Sequence, residues 1–258
     1  MSKRQNGPSL TPEEWHAWFS VQAGWTRETR QWLYRQAGLA QADAILEVGC
    51  GTGIIAGELA RLSPARVVGL DIDSKGITFA RRQKGGAIYV QGDAHALPFP
   101  SDTFSVVVCH YLLLWLADPV QGAREMARVV RPGGRVLACA EPDYGGRVDH
   151  PAELASLGRL QTEALRQQGA EPEIGRRLGE IFTDAGLRVT VGTMAGRWEL
   201  PASPDAGFEA EWAMREHDLT NLASPEELCR LRSIDQQALA EGRRTLFIPT
   251  FYALGRKP

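Results

Sequence analysis

The sequence predicts an α/β fold, a mostly parallel sheet of seven strands with helices on both faces. Three observations predict it. Short apolar runs alternate with helical stretches from Ala44 onward, the pattern of strands joined by crossovers and covered on both faces. The first run stops abruptly in an acid and three glycines, Glu47-Val48-Gly49-Cys50-Gly51-Thr52-Gly53. Glycines at alternate positions let the chain turn tightly into a helix while a ligand lies against bare backbone. At 258 residues and 43% hydrophobic content, the chain can bury one sizeable core.

The elements follow in order. Thr11-Pro12-Glu13-Glu14 opens the first helix: Thr11 caps it, Pro12 suits the first helical position and Glu14 completes a capping box. Trp18, Trp25 and Trp32 recur every seven residues and share a face if the helix is continuous; Gly24 is where it can break. Strands are expected at Ala44 to Val48, Arg66 to Leu70, Ala87 to Val90, Phe104 to Cys109 and Gly134 to Cys139. Helices between them run from Gly53 to Leu62, through Phe79 to Arg82, and from Val120 to Val130. Leu154, Leu157, Leu160 and Leu165 mark a further helix. Ile174, Leu178, Ile181, Phe182 and Ala185 mark another, stopped by Gly186. A strand from Leu187 to Met194, a helical block from Asp205 to Glu241 with the capping box Ser224-Pro225-Glu226-Glu227, and a closing strand from Leu246 to Leu254 complete the chain.

Composition disfavours several classes. The net charge of −2 carries no global basic signature, which disfavours nucleic-acid partners. The polar start from Met1 to Pro8 lacks a signal-peptide apolar stretch, and the apolar run from Val106 to Ala117 is too short to span a bilayer. Four scattered cysteines without C-x-x-C spacing argue against a metal site or disulfides and for a reducing cytoplasm. No oligomeric state follows from the sequence.

The glycine spacing selects the ligand. A dinucleotide fingerprint counted from Gly49 puts its third glycine at position 54, which is Ile54. The third glycine is Gly53, and this acid-led G-x-G-x-G resembles motif I of the class I S-adenosyl-L-methionine (SAM) dependent methyltransferases. Four further segments carry the resemblance: Gly69-Leu70-Asp71-Ile72, Gly92-Asp93-Ala94, Leu97-Pro98-Phe99 and Arg131-Pro132-Gly133-Gly134. From about Ala44 to Ala140 the chain is similar to the small-molecule members of ubiquinone and menaquinone biosynthesis.

The resemblance implies a Rossmann-like single domain: an N-terminal helical lid over 1–40, a SAM-binding core over 41–142, and substrate-side helices and closing strands over 143–258. Gly49, Cys50, Gly51, Thr52 and Gly53 cradle the cofactor. Asp71 holds the ribose with Ile72 beside the adenine, Asp93 and Ala94 contact the base, and Cys109 and His110 border the methionine end. Glu47 either reaches the cofactor through water or braces the turn, and Asp73 either neighbours the ribose or caps the next helix. Trp18, Gln22 and Trp25 are the lid candidates.

For catalysis, His110 is a candidate general base, with His217 and Asp143 as further candidates. Tyr111, Trp115, Glu141 and Tyr144 are candidate walls of an acceptor pocket, or residues that pack and cap their own segments. His95 can edge the adenine pocket, whereas His16 and His150 read as surface residues. The place held in adenine-N6 methyltransferases by Asn/Asp-Pro-Pro-aromatic reads Cys109-His110-Tyr111-Leu112, which argues against planar amine targets. The reading is a methyl transfer to O, N or C of a small molecule. Alternatives are an RNA or protein methyltransferase, for which Arg27, Arg30 and Arg35 hint at a basic stripe, and a non-catalytic SAM-binding regulator.

Overall fold

The structure is a computed structural model that describes residues 10–83, 85–194 and 206–258. The polar start and Asp205, where the second helical block is expected to begin, lie outside the described residues. In chain order the elements are α1 (Pro12–Trp25), α2 (Arg27–Gln36), β1 (Ala44–Val48), α3 (Ile54–Leu62), β2 (Arg66–Asp71), α4 (Ser74–Arg82), β3 (Ile88–Gln91), β4 (Phe104–Cys109), α5 (Pro119–Val129) and β5 (Val130–Pro142). They continue with β6 (Val148–His150), α6 (Ala155–Gln167), α7 (Leu178–Asp184), β7 (Arg188–Thr193), α8 (Ala206–Leu219), α9 (Pro225–Ala240), β8 (Thr245–Phe247) and β9 (Thr250–Arg256).

The chain divides into two compact units. The sheet unit comprises Thr11–Pro142, Ile174–Met194 and Thr250–Pro258. Its seven strands run in the order β3-β2-β1-β4-β5-β9-β7. β1 to β5 pair in parallel, and β9 is antiparallel to both of its neighbours. The seven-stranded, mostly parallel sheet of the sequence expectation is therefore present. β1 and β4 at its centre are buried at every position, which is why both read as unbroken apolar runs. Leu33 and Tyr34 of α2 and Ile55, Ala56 and Leu59 of α3 pack on one face, over Ile45, Val106, Val108, Leu137 and Cys139. α7 lies on the other, with Phe182 against Gly255.

The second unit, Asp143–Glu173 and the described part of Ala195–Pro249, is largely helical. Trp212 of α8 is fully buried among Leu154, Leu157, Leu219, Leu228 and Leu231. Asp235, also buried, accepts hydrogen bonds from Trp212 Nε1 (2.8 Å), Arg215 (3.1 Å) and Arg244 (2.5 Å). Arg244 and Arg147 in turn share Asp149.

Both predicted caps start helices where expected, and the reciprocal box is complete at Thr11. Thr11 accepts from Glu14 N–H while the Glu14 carboxylate accepts from Thr11 N–H, and Ser224 accepts from Glu227 N–H. Three expectations are corrected. The tryptophan helix breaks at Thr26, not at Gly24. The expected closing strand is two strands, because Pro249 between β8 and β9 has no N–H for a ladder. β8 pairs with β6, which carries no periodic signal in the sequence.

Candidate functional site

The carboxyl ends of β1, β2 and β4 lie side by side, and the glycine turn leaves β1 at that edge. Gly49, Gly51 and Gly53 all adopt positive φ (78°, 50° and 87°), conformations that cost other residues strain. Space is also closed. A Cβ on Gly49 would stand 2.7 Å from Leu112, and one on Gly51 3.0 Å from the Phe19 ring.

Asp71 ties the turn to β2. One carboxylate oxygen accepts from Gly51 N–H at 2.7 Å and the other from Asp73 N–H at 2.8 Å. Both carboxylate oxygens of Asp71 are thus oriented by backbone N–H groups at the mouth of the turn. Ile72 beside it is 66% exposed, so its apolar face is accessible to a flat ligand at the place the resemblance gives to the adenine. Asp73 resolves as a cap: it accepts from Lys75 N–H and Gly76 N–H at the start of α4. Asp93 accepts from the backbone N–H and ring Nδ1 of His95, through Oδ1 alone. His95 Nε2 meanwhile accepts from Asp118 N–H at 3.3 Å. His95 thus orients Asp93 and leaves Oδ2 without a protein partner among the described residues, which suits an adenine amino group. Ala94 is buried beside it.

Glu47 ends β1 and is buried. It accepts from Ala56 N–H in the first turn of α3, but Oε2 has no partner among the described residues. Burial is the main cause that pushes its pKa up to about 8, with Asp71 adding to it. The sign follows. A carboxyl whose pKa rises on folding stabilises the protein below its unfolded pKa, and that stability is lost as pH rises through about 8. Between roughly pH 5 and 8 the ligand-free protein should lose about 1.4 kcal/mol per pH unit from this group. Urea unfolding across this range should show Glu47→Gln with a shallower slope than the parent; equal slopes would refute the buried, protonated Glu47.

The segment after β4 is held at both ends. Tyr111 adopts φ 52°, a strained backbone for a non-glycine residue and a recurrent mark of functional loops. Its N–H donates to Ala140 O at 2.9 Å. Glu141 is fully buried and accepts from Leu112 N–H (3.0 Å), Leu113 N–H (2.9 Å) and Leu114 N–H (3.2 Å). It was expected to wall an acceptor pocket; in this structure its carboxyl braces the loop that carries Trp115. Burial pushes its pKa to about 7 despite the three donors. Glu141→Gln, which exchanges one acceptor oxygen for an amide, should cost about 1–3 kcal/mol in denaturant unfolding. No loss would show that the brace contributes nothing.

His110 follows β4. Its Nε2 lies 2.8 Å from Thr26 Oγ1, and its ring meets Tyr111 edge-on at 4.5 Å. Some of its surface stays open, yet the surrounding protein desolvates the ring and, with the Arg30 charge adding, lowers its pKa to about 3. At neutral pH His110 is uncharged and a poor base. Arg30 is buried on α2 and donates to Ala23 O (2.9 Å), to Thr26 Oγ1 and, in bidentate fashion, to Glu58 on α3 (2.9 and 2.6 Å).

Cys50 and Cys109 are buried, so only their backbone is available to a ligand. Thr52 Oγ1 pairs with His16 Nδ1 at 3.0 Å. His16 was read as a surface residue; it and Phe19 are where α1 meets the glycine turn. Trp18 and Trp25 pack edge-on at 5.5 Å, with Trp25 half-exposed. The remaining candidates belong to the helical unit. Asp143 accepts from Gly145 N–H as a turn cap. Burial raises the Tyr144 pKa, with Arg147 and Arg215 opposing. His217 Nδ1 pairs with Asp218 at 3.2 Å. The structure thus brings the cofactor candidates and His110, Tyr111, Trp115 and Glu141 into one unit, and Asp143, Tyr144 and His217 into the other.

The fold and this strand edge define a nucleoside-binding α/β domain whose cradle fits SAM: three glycines without room for side chains, an oriented acid, an exposed apolar neighbour and a free carboxylate oxygen. Residues 46–138 match the family described as "Methyltransferase domain". The matched core is a class I SAM-dependent methyltransferase domain. It is 40% identical over 145 residues to a fatty-acid O-methyltransferase of Mycolicibacterium smegmatis, covering 53% of this chain and 52% of that protein. It is 40% identical over 115 residues to a demethylmenaquinone methyltransferase of a Mycobacterium species, covering 45% and 47%. The chain spans about half the length of these curated relatives. A geranyl diphosphate methyltransferase solved with SAM shares the fold, with a TM-score of 0.58 at 14% identity over 90% of this chain and 85% of that one. SAM is the cofactor that this family uses.

Proposed function

We propose that the protein transfers the methyl group of SAM to an O, N or C atom of a small-molecule acceptor. The observation that carries this is the glycine turn tied through Gly51 N–H to Asp71, with Ile72 exposed beside it. The small acceptors in the names of the fatty-acid and demethylmenaquinone enzymes support the substrate class.

SAM supplies a methyl group already activated on a sulfonium. The chain's task is therefore positioning and exclusion of water, which can account for roughly 7–11 kcal/mol of barrier. Gly49 to Gly53 and Asp71 hold the nucleoside and methionine, Asp93 and Ile72 the base, and His110, Tyr111 and Trp115 border the transferred methyl. The RNA or protein reading loses part of its basis, because Arg30 of the expected basic stripe is buried and paired with Glu58. Among the described residues no helix is long and apolar enough to cross a membrane; the proposed cytoplasmic location rests on the use of four free thiols. The test is a transfer screen with labelled SAM against carboxylic acids, phenols, amines, quinol precursors and tRNA. Label on small molecules is expected; label on tRNA alone would overturn the substrate class.

A further inference from the structure

The distances around His110 favour one placement of its ring proton. Arg30 can only donate, and it donates to Thr26 Oγ1. The Thr26 hydroxyl proton then has two possible acceptors, His110 Nε2 at 2.8 Å and Ala23 O at 3.4 Å. The shorter and better bond goes to Nε2. An Nε2 that accepts leaves the ring proton on Nδ1, and Nδ1 has no protein partner among the described residues. Arg30 is itself held by the bidentate bond to Glu58. Thr26, Arg30 and Glu58 come from the α1–α2 junction, α2 and α3, so this chain reaches His110 from three elements outside its own strand.

We propose that Thr26, held by Arg30 and Glu58, is a positioning residue that fixes His110 as a hydrogen-bond donor through Nδ1–H, and that the methyl acceptor meets this donor with an oxygen already ionised. The proposal rests on the reading of the glycine turn as a SAM site. At the methionine end, where the SAM reading places His110, an N–H donor orients an oxygen anion and repels the N–H of an ammonium. Nε2, the nitrogen able to accept, is occupied by Thr26. In the transfer, a lone pair of the acceptor oxygen forms the O–CH3 bond as the S–CH3 bond breaks, and its electron pair returns to sulfur. The anionic oxygen and the sulfonium both become neutral. No proton moves, so no base is needed. Carboxylates are the acceptor class that meets this requirement at neutral pH.

Long-range proton–nitrogen NMR of the full-length protein reads the tautomer without any ligand. The parent is expected to show Nδ1–H for His110, Thr26→Val to lose that preference and Thr26→Ser to regain it. An Nε2–H parent, or a Thr26→Val spectrum identical to the parent, would overturn the positioning role. If Thr26→Val does not fold, the parent tautomer and the Thr26→Ser spectrum decide. In labelled-SAM assays with benzoate and long-chain carboxylates, methyl esters are the expected products. His110→Asn, which keeps an N–H near the Nδ1 position, should outperform His110→Ala by about tenfold to a hundredfold. Methylation confined to amines or carbon would overturn the ionised-oxygen assignment. Absence of SAM binding in calorimetry would instead remove the cofactor reading, with the tautomer result standing on its own.

Discussion

Asp71→Ala should weaken SAM binding by about a hundredfold or more, from the loss of charge-assisted bonds worth about 1.5–3 kcal/mol each. The effect has two sources. The ribose loses its acceptor, and the turn loses the carboxylate that fixes Gly51 N–H and Asp73 N–H. Asp71→Asn keeps one acceptor oxygen and should lie between parent and alanine. Calorimetric titration separates the three, and an alanine variant that binds SAM as tightly as the parent would refute the assignment. Asp73→Ala is the contrast. It removes only the α4 cap, a loss of about 1 kcal/mol of stability.

Arg30→Ala should destabilise the protein by about 3–5 kcal/mol, the cost of leaving a buried charge without its partner. The Arg30 side chain is 1% exposed and that of Glu58 15%, so solvent compensates poorly for the missing guanidinium. At roughly 2–4 °C per kcal/mol, the melting temperature should fall by about 6–20 °C. Replacing both partners with apolar residues, Arg30→Met with Glu58→Leu, should recover much of the loss. The double variant would still lack the Thr26 anchor. A single Arg30→Ala variant that melts with the parent would show that the buried pair carries no weight.

The sheet was legible because its central strands are buried on both faces and cannot hide their apolar runs. Capping boxes were legible because their hydrogen bonds are local in sequence. What was not legible depended on distant partners. Arg30 read as one of several surface arginines. Its burial was signalled only by Leu33 and Tyr34, three and four residues on, which share its helix face. His16 gave no periodic signal, and its partner Thr52 is 36 residues away. Glu141 offered a clue that sequence reasoning passed over. A lone acid after Leu137-Ala138-Cys139-Ala140 continues a buried strand, and a buried carboxylate needs donors; three backbone amides supply them. The glycine turn remained the clearest feature because its spacing limits both backbone and ligand. The role expected of His110 shifts most. Burial and the Arg30 charge lower the basicity of its ring, whose pKa falls to about 3, so in the ligand-free protein it accepts a proton poorly.

Calorimetry of the full chain with SAM, S-adenosyl-L-homocysteine and NAD tests the glycine turn directly. SAM and S-adenosyl-L-homocysteine are expected to bind at a single site and NAD not at all. Binding of NAD without SAM would contradict the assignment of the cradle and of the reaction built on it.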